Sequence, residues 1–443
     1  MDGARGNAGR NSTQALNPMW QFLFRPEVLF GLAAIQGLLP YAVWWSGLDS
    51  APESVNFTYL PVVIWIIAYV AFLLGTATSR RLYADCQYDV APKKRKVSTF
   101  AWITAGLIVV QLAGVTAIYG TLPILSFLSN DGRLNVNDVN NLQETSGLGQ
   151  IGFIAACNVV FNGAILLRLL CHLDRRERVS AGTIGLLAIS MLSALYGGKR
   201  QGLLITAVYL TCGLSLYARS PVVALAVMSK LPLKAKNLAL VFIAFAVFGF
   251  VSLVGYLSTA RNQGARGRSG VEETLAYLEY PLLNLERQTQ STGLGPYKYD
   301  LLYPILPLIP FKMQQALADR LIPPPVKPVV TSPSGFFERL QWGWGPIGIA
   351  LFCFVAGAYS MRLYHRSKVS VMALLIYCQC AYVLLSAYAY NHFVNLVFFP
   401  LPALIFFWIG ERFRSRLQFQ PSTSPATTGS FSRRRNESAS IHS

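Results

Sequence analysis

The chain has 443 residues, of which 53% are hydrophobic and only 13% are charged, and it carries a net charge of +18. Soluble domains hold about 25% charged residues, so the deficit argues against a soluble protein and for a membrane one. The basic residues fall in short loops between apolar runs rather than along one stripe, which argues against nucleic-acid binding.

The first 24 residues are polar and Asn/Gly-rich, and the first apolar run begins near Val28, so no cleavable signal peptide is expected. Ten apolar runs approach or exceed the ~20 residues that cross a bilayer as a helix. They cover residues 27–46, 59–77, 99–118, 150–170, 181–197, 201–218, 237–257, 346–362, 369–389 and 393–410. In lipid the backbone must satisfy its own hydrogen bonds, so each run is expected to be helical. The expected fold class is all-α, a polytopic integral membrane protein of about ten transmembrane helices.

Loop charge sets the expected topology. Arg5, Arg10 and Arg25 precede the first run, and Arg80, Arg81, Lys93, Lys94, Arg95 and Lys96 follow the second. Arg175, Arg176 and Arg178 follow the fourth, and Arg219, Lys230, Lys234 and Lys236 follow the sixth. Arg362, Arg366 and Lys368 follow the eighth, and Arg412, Arg414, Arg416 and Arg433 to Arg435 follow the last. These segments alternate along the chain, so ten spans put them all on one side, the cytoplasm, with both termini inside. The expected organisation is a cytoplasmic tail (1–26), seven helices (27–257), a large extracytoplasmic loop (258–345), three helices (346–410) and a basic, disordered cytoplasmic tail (411–443). PVVALAVM, residues 221–228, is too short to span and reads as interfacial. In LLYPILPLIPF, residues 301–311, Pro304, Pro307 and Pro310 disfavour a continuous helix, and the segment is expected to fold back onto the membrane surface.

The seven cysteines, Cys86, Cys157, Cys171, Cys212, Cys353, Cys378 and Cys380, all lie in apolar runs or cytoplasmic loops, so no disulfide framework is implied. Cys378 and Cys380 lack metal-ligand company and read as core packing. No nucleotide-binding loop, zinc site, nucleophile elbow or acidic D-x-D metal motif is present, so no metal or cofactor is expected.

Chemistry is sought among the few ionisable residues expected on the outside. Lys199 and Arg200 occupy the short turn GGKRQGLL, residues 197–204, where positive charge runs against the orientation rule. Arg261, Arg266 and Arg268 follow the seventh run in TARNQGARGRSG. Arginine suits phosphate because its planar fork donates two bonds. The plainer readings are a snorkelling pair at Lys199/Arg200 and a solvated loop with salt bridges to Glu272 and Glu273 for the three arginines. Glu272, Glu273, Glu338 and His392 are candidates for a general base, and Asp131, Asp138, Glu144 and Glu286 share that side. Against this, Glu272 and Glu273 suit the first turn of a loop helix, Glu338 suits a pair with Arg339, and His392 suits a hydrogen bond inside the bundle just within the last helix.

Four segments, in order, resemble the O-antigen polymerase-like family, the oligosaccharide repeat-unit polymerases of bacterial surface-polysaccharide assembly. They are YGTLPILS (119–126), GGKRQGLL (197–204), the arginine segment from Arg261 with AYLEYPLLNLER (276–287), and Thr331 followed by WGWGPIGIALFCFVAGAYS (342–360). The likeness extends from about residue 60 to 410. It departs where the family often has Ser and this chain has Gly198, and where an acidic residue is common and this chain has Gly343. The resemblance implies an all-helical membrane glycosyltransferase of GT-C-like class. Its substrate would be a polyprenyl-diphosphate-linked oligosaccharide at the outer face of the bacterial inner membrane, with a chain-length regulator and a flippase as partners besides the lipid bilayer. Lys199, Arg200, Arg261, Arg266 and Arg268 would then bind the diphosphate. A ligase would share this donor site; a flippase would be expected to show internal repeats, and none is evident.

Overall fold

The computed structural model describes residues 21–45, 58–80, 94–119, 152–175, 177–196, 200–217, 281–290, 302–309, 336–368, 370–388, 391–395 and 399–414. Among them the secondary structure is helical throughout. The helices are α1 (Pro26–Trp45), α2 (Leu60–Arg80), α3 (Lys94–Tyr119), α4 (Gly152–Asp174), α5 (Ala181–Tyr196) and α6 (Arg200–Tyr217). A short helix, α7, covers 281–290. Then come α8 (Glu338–Ser367), α9 (Val371–Leu385) and α10 (Pro400–Arg414), with 3-10 turns at Tyr303–Leu308 and His392–Val394. The seventh apolar run, 237–257, lies outside the described residues, as do the 221–228 segment and the C-terminal tail.

Two groups of helices share one core. In the first, α8 packs along α2 and touches α1. In the second, α3, α4, α5 and α6 pack together. The link between them is α9, which contacts α1, α4, α6, α8 and α10. Its sequence is apolar all round, as a helix enclosed by others must be, and Tyr377, Cys378, Gln379, Cys380 and Ala381 are fully buried in succession. Cys378 and Cys380 therefore serve as core residues, and Cys380 Sγ lies 3.2 Å from Ser360 Oγ of α8. Cys171, Cys212 and Cys353 are likewise buried thiols outside any disulfide.

The contact between α2 and α8 is backbone against backbone. A Cβ on Gly75 would collide with the Phe354 carbonyl, and a Cβ on Gly357 would collide with the Phe72 carbonyl. The buried face of α2 carries the small residues Ala68, Ala71, Gly75 and Thr76 together with Ile64, Trp65 and Phe72, while Val63, Ile66, Val70 and Leu74 are exposed. Helix α3 buries Val97, Ala101, Thr104, Ala105 and Ile108 and exposes Trp102, Ile103, Leu107 and Val110. Small residues where helix backbones approach are a feature of helices that pack in lipid. Three helical segments, Leu60–Ser79, Lys96–Gly114 and Glu338–Ser367, are long and apolar enough to cross a membrane.

Helix α8 departs from the expected span at 346–362. It begins earlier and turns sharply at Gly345, whose φ of 64° and ψ of −167° suit glycine and few other residues. Pro346 then opens the second arm, where its missing N–H is harmless. The turn brings the Phe336 ring to 5.8 Å from the Phe352 ring, whereas a straight helix would hold these residues ~24 Å apart. The last helix also differs from its expected start at residue 393. The chain makes a 3-10 turn at His392–Val394, and α10 begins at Pro400. Apart from Asn395 the residues from Phe393 to Phe399 are apolar, which hid the proline restart.

The ends of α1 and α8 are tied in opposite senses. At one end the Tyr364 hydroxyl donates to Gln21 O at 3.1 Å, and the Tyr377 hydroxyl donates to Phe24 O. These contacts join the residues just before α1 to the C-terminal half of α8 and to α9. At the other end α1 finishes near α7 and the start of α8, so α1 and α8 run antiparallel.

The glycine contact sets a test. Gly75→Ala and Gly357→Ala should each lower the melting temperature of the detergent-purified protein, because overpacking costs about 1–3 kcal/mol. Gly106→Ala adds a Cβ that meets nothing within 4 Å and should leave melting unchanged or slightly raised. Equal melting of all three variants would show that α2 and α8 do not pack this closely.

Candidate functional site

Of the ionisable residues singled out from sequence on the expected outer side, Glu286, Glu338 and His392 fall among the described residues with their side chains. Arg200 is the first residue of α6. Helix α6 packs on α5, and residues 197–199 between them lie outside the described residues. Lys199, Arg261, Arg266, Arg268, Glu272 and Glu273 lie outside the described residues, as does the side chain of Arg200.

The best-connected polar group is Glu286 of α7, which is fully buried. Its Oε1 accepts from the Thr58 backbone N–H at 2.8 Å and from Gln290 Nε2 at 3.0 Å. Its Oε2 lies 3.3 Å from the Tyr41 hydroxyl, which also donates to Thr58 O at 2.6 Å. Thr58 stands just before α2, where backbone N–H groups have no helical partner. A carboxylate is a strong acceptor for such a group. One side chain thus fastens α7 to the C-terminal end of α1 and the entrance to α2. From the same helix, Gln288 Nε2 donates to the Glu338 backbone carbonyl at 2.8 Å. The hydrogen bonds form a chain from α1 through α7 to the first residue of α8.

Glu338 occupies the first turn of α8, a position that favours a negative charge. Its Oε2 is buried and has no hydrogen-bond partner, so the simple pairing with Arg339 expected for it does not satisfy this atom. His392 is buried in the 3-10 turn before α10 rather than inside that helix. Its ring stacks on Tyr382 with centroids 5.6 Å apart, and its Nε2 lies 3.4 Å from the Tyr382 hydroxyl. Burial pushes the imidazole down to about 3, so the ring is neutral at pH 7 and a weak base. The neighbouring Asn391 has both side-chain amide atoms buried without a partner. Among the described residues no group of three or more His, Cys, Asp or Glu comes together.

A second polar cluster fixes the hairpin that carries Arg200. Asn162 Oδ1 of α4 accepts from Ser190 of α5 at 2.7 Å and from Thr206 of α6 at 3.2 Å. One turn away, Ser193 donates to Asn158 Oδ1 at 3.1 Å. These buried bonds join three apolar helices, a use of polar side chains common inside membrane bundles. The paired spacings, four residues in α4 and three in α5, were readable from sequence as one helix face each.

The Glu286 linkage gives a direct test. Glu286→Leu would leave the Thr58 N–H without its carboxylate acceptor, at about 1–3 kcal/mol. Glu286→Gln keeps one acceptor oxygen. The leucine variant should therefore melt well below wild type and the glutamine variant only slightly below it. Equal melting of the two would mean that the acceptor does not hold this end together. No protein-family model, curated protein or solved structure matches the chain.

Proposed function

We propose that the chain is a polytopic enzyme of the bacterial cytoplasmic membrane that joins lipid-linked oligosaccharide repeat units into a surface polysaccharide. On this reading it has about ten spans with both termini in the cytoplasm and a GT-C-like arrangement, and it acts at the outer face. The observation that carries the reading is that the helices holding two of the four family-like segments are tied together. Residues 281–287 lie in α7 and 342–360 in α8, and Gln288, just past the first segment, bonds to the carbonyl of Glu338, just before the second. Supporting it, α2 and α3 expose large apolar residues such as Ile66, Val70, Leu74, Trp102, Ile103 and Val110, and the close approach of α2 to α8 is made at glycines, as in lipid-embedded helices.

The chemistry is displacement at an anomeric carbon. A base takes the proton of an acceptor hydroxyl. The freed oxygen forms a bond to the anomeric carbon of the donor sugar, and the bond from that carbon to the diphosphate oxygen breaks. The lipid diphosphate leaves with the electron pair. Fixed cations aimed at that developing charge lower the barrier, and Lys199, Arg200, Arg261, Arg266 and Arg268 are the proposed cations. Among the described carboxylates Glu338 is the proposed base, because its Oε2 is not engaged by the protein.

Two measurements test the reading. Deleting the gene should leave glycans of single repeat units; full-length lipid-linked polymer would instead indicate a ligase, and units confined to the inner leaflet a flippase. In the same cells Arg200→Ala at matched protein level should abolish long polymer, and Arg200→Lys should remain poor because it lacks the two-bond fork. Loss of a charge-assisted hydrogen bond costs about 1.5–3 kcal/mol, or roughly 10- to 150-fold in rate when felt only in the transition state. Normal polymer from Arg200→Ala would remove Arg200 from the diphosphate site.

Topology is tested separately by cysteine labelling from outside. Introduced cysteines at Asn140 and Gln290 should react, and those at Lys94 and Ser432 should not. Reversal at either pair would overturn the ten-span orientation.

A further inference from the structure

We infer that Glu338 and Asn391 form a recognition site for the hydroxyl groups of a sugar ring, distinct from the basic residues that would meet the diphosphate. The choice of a sugar rests on the glycosyltransferase reading; the site itself rests on geometry.

Three elements meet around it. The rings of Phe336 and Phe393 both pack on Phe352, at 5.8 and 6.2 Å. Glu338 follows Phe336 by two residues and Asn391 precedes Phe393 by two, so both stand in segments that meet at the Phe352 ring. The 3-10 turn Tyr303–Leu308 packs against both α8 and the His392–Val394 turn. In these segments Glu338 Oε2, Asn391 Oδ1 and Asn391 Nδ2 are buried with no hydrogen-bond partner. Buried polar atoms are nearly always paired, and in an apolar bundle an unpaired one is costly. Three in adjoining segments point to a ligand that supplies the missing bonds.

The atoms define its chemistry. They comprise two acceptors and one donor. A sugar hydroxyl matches them, since it donates one hydrogen bond and accepts others. Phosphate would face the Glu338 carboxylate and be repelled. A metal cation would face the Asn391 N–H donor, and a purely apolar ligand would leave all three atoms unsatisfied. The aromatic floor of Phe336, Phe352 and Phe393 suits the C–H face of a pyranose, because small-molecule sites combine apolar walls with a few placed polar groups.

The experiment uses the full chain in detergent. Tryptophan fluorescence, reported in part by Trp342 and Trp344 on the same arm of α8, is titrated with the methyl glycosides of glucose, galactose and N-acetylglucosamine. At least one should produce a saturable change in wild type. Glu338→Gln is isosteric but turns an acceptor into a donor, and Asn391→Leu removes both amide atoms. Each should weaken binding by about tenfold or more. Asn391→Leu should melt no lower than wild type, because removing an unpaired buried amide relieves a cost. No saturable change with any of the three glycosides, or wild-type binding by both variants, would overturn the site. The gene deletion separates this result from the broader reading. Asn391-dependent binding with polymer unchanged on deletion would keep the site and remove the polymerase. Single repeat units on deletion with both variants binding normally would remove the site and keep the polymerase.

Discussion

The architecture depends on how closely α2 and α8 approach. With glycine at 75 and 357, each helix lays its backbone against a carbonyl of the other, and the small residues beside them make this packing continuous. Lipid tails are as apolar as leucine, so hydrophobic burial gives little reason for two helices to associate within a bilayer; close van der Waals contact does. That contact fixes the second arm of α8. The turn at Gly345 then redirects the first arm, and Glu338 at its start meets Gln288 of α7.

Polar side chains serve two purposes in this bundle. The Asn162, Ser190 and Thr206 cluster is satisfied within itself and holds α4, α5 and α6 in register. The His172 side chain, 3.1 Å from Thr183 Oγ1, continues the same work at the other end of α4 and α5. Glu286 is satisfied as well, but its partners come from three separate segments. Glu338 and Asn391 differ in having polar atoms that the fold leaves unused. Groups of the first kind build the bundle, and groups of the second kind mark where it can take a ligand.

Much of the helical framework was legible in the sequence. The runs at 27–46, 181–197 and 201–218 match α1, α5 and α6 almost residue for residue, because Pro26 and the glycines at 197 and 198 punctuate uninterrupted apolar stretches. The prolines of 301–311 correctly spoke against a long helix there, and a 3-10 turn stands in its place. What escaped was set by tertiary contacts. In α7 both apolar Leu283 and charged Glu286 are fully buried, so no amphipathic period announced that helix. Glu286 appeared in sequence as one of several exterior acids, since the partners that give it a role lie 228 and 245 residues away. Asn391 drew no notice because an asparagine beside a histidine carries no signal until its surroundings are known.

Those separations have a bearing on how the protein is made. Tyr41 and Thr58 are synthesised 245 and 228 residues before Glu286. Until Glu286 emerges the Thr58 N–H lacks its carboxylate, and one end of the α1–α2 hairpin stays open to other partners. Contacts of such long sequence separation are slow to form, and larger proteins expose vulnerable surface while they wait. Closing this end of the bundle is therefore a late event in biogenesis. A truncated or stalled chain would carry an intact α1–α2 hairpin with an open end, a form that membrane quality control could distinguish from the finished protein.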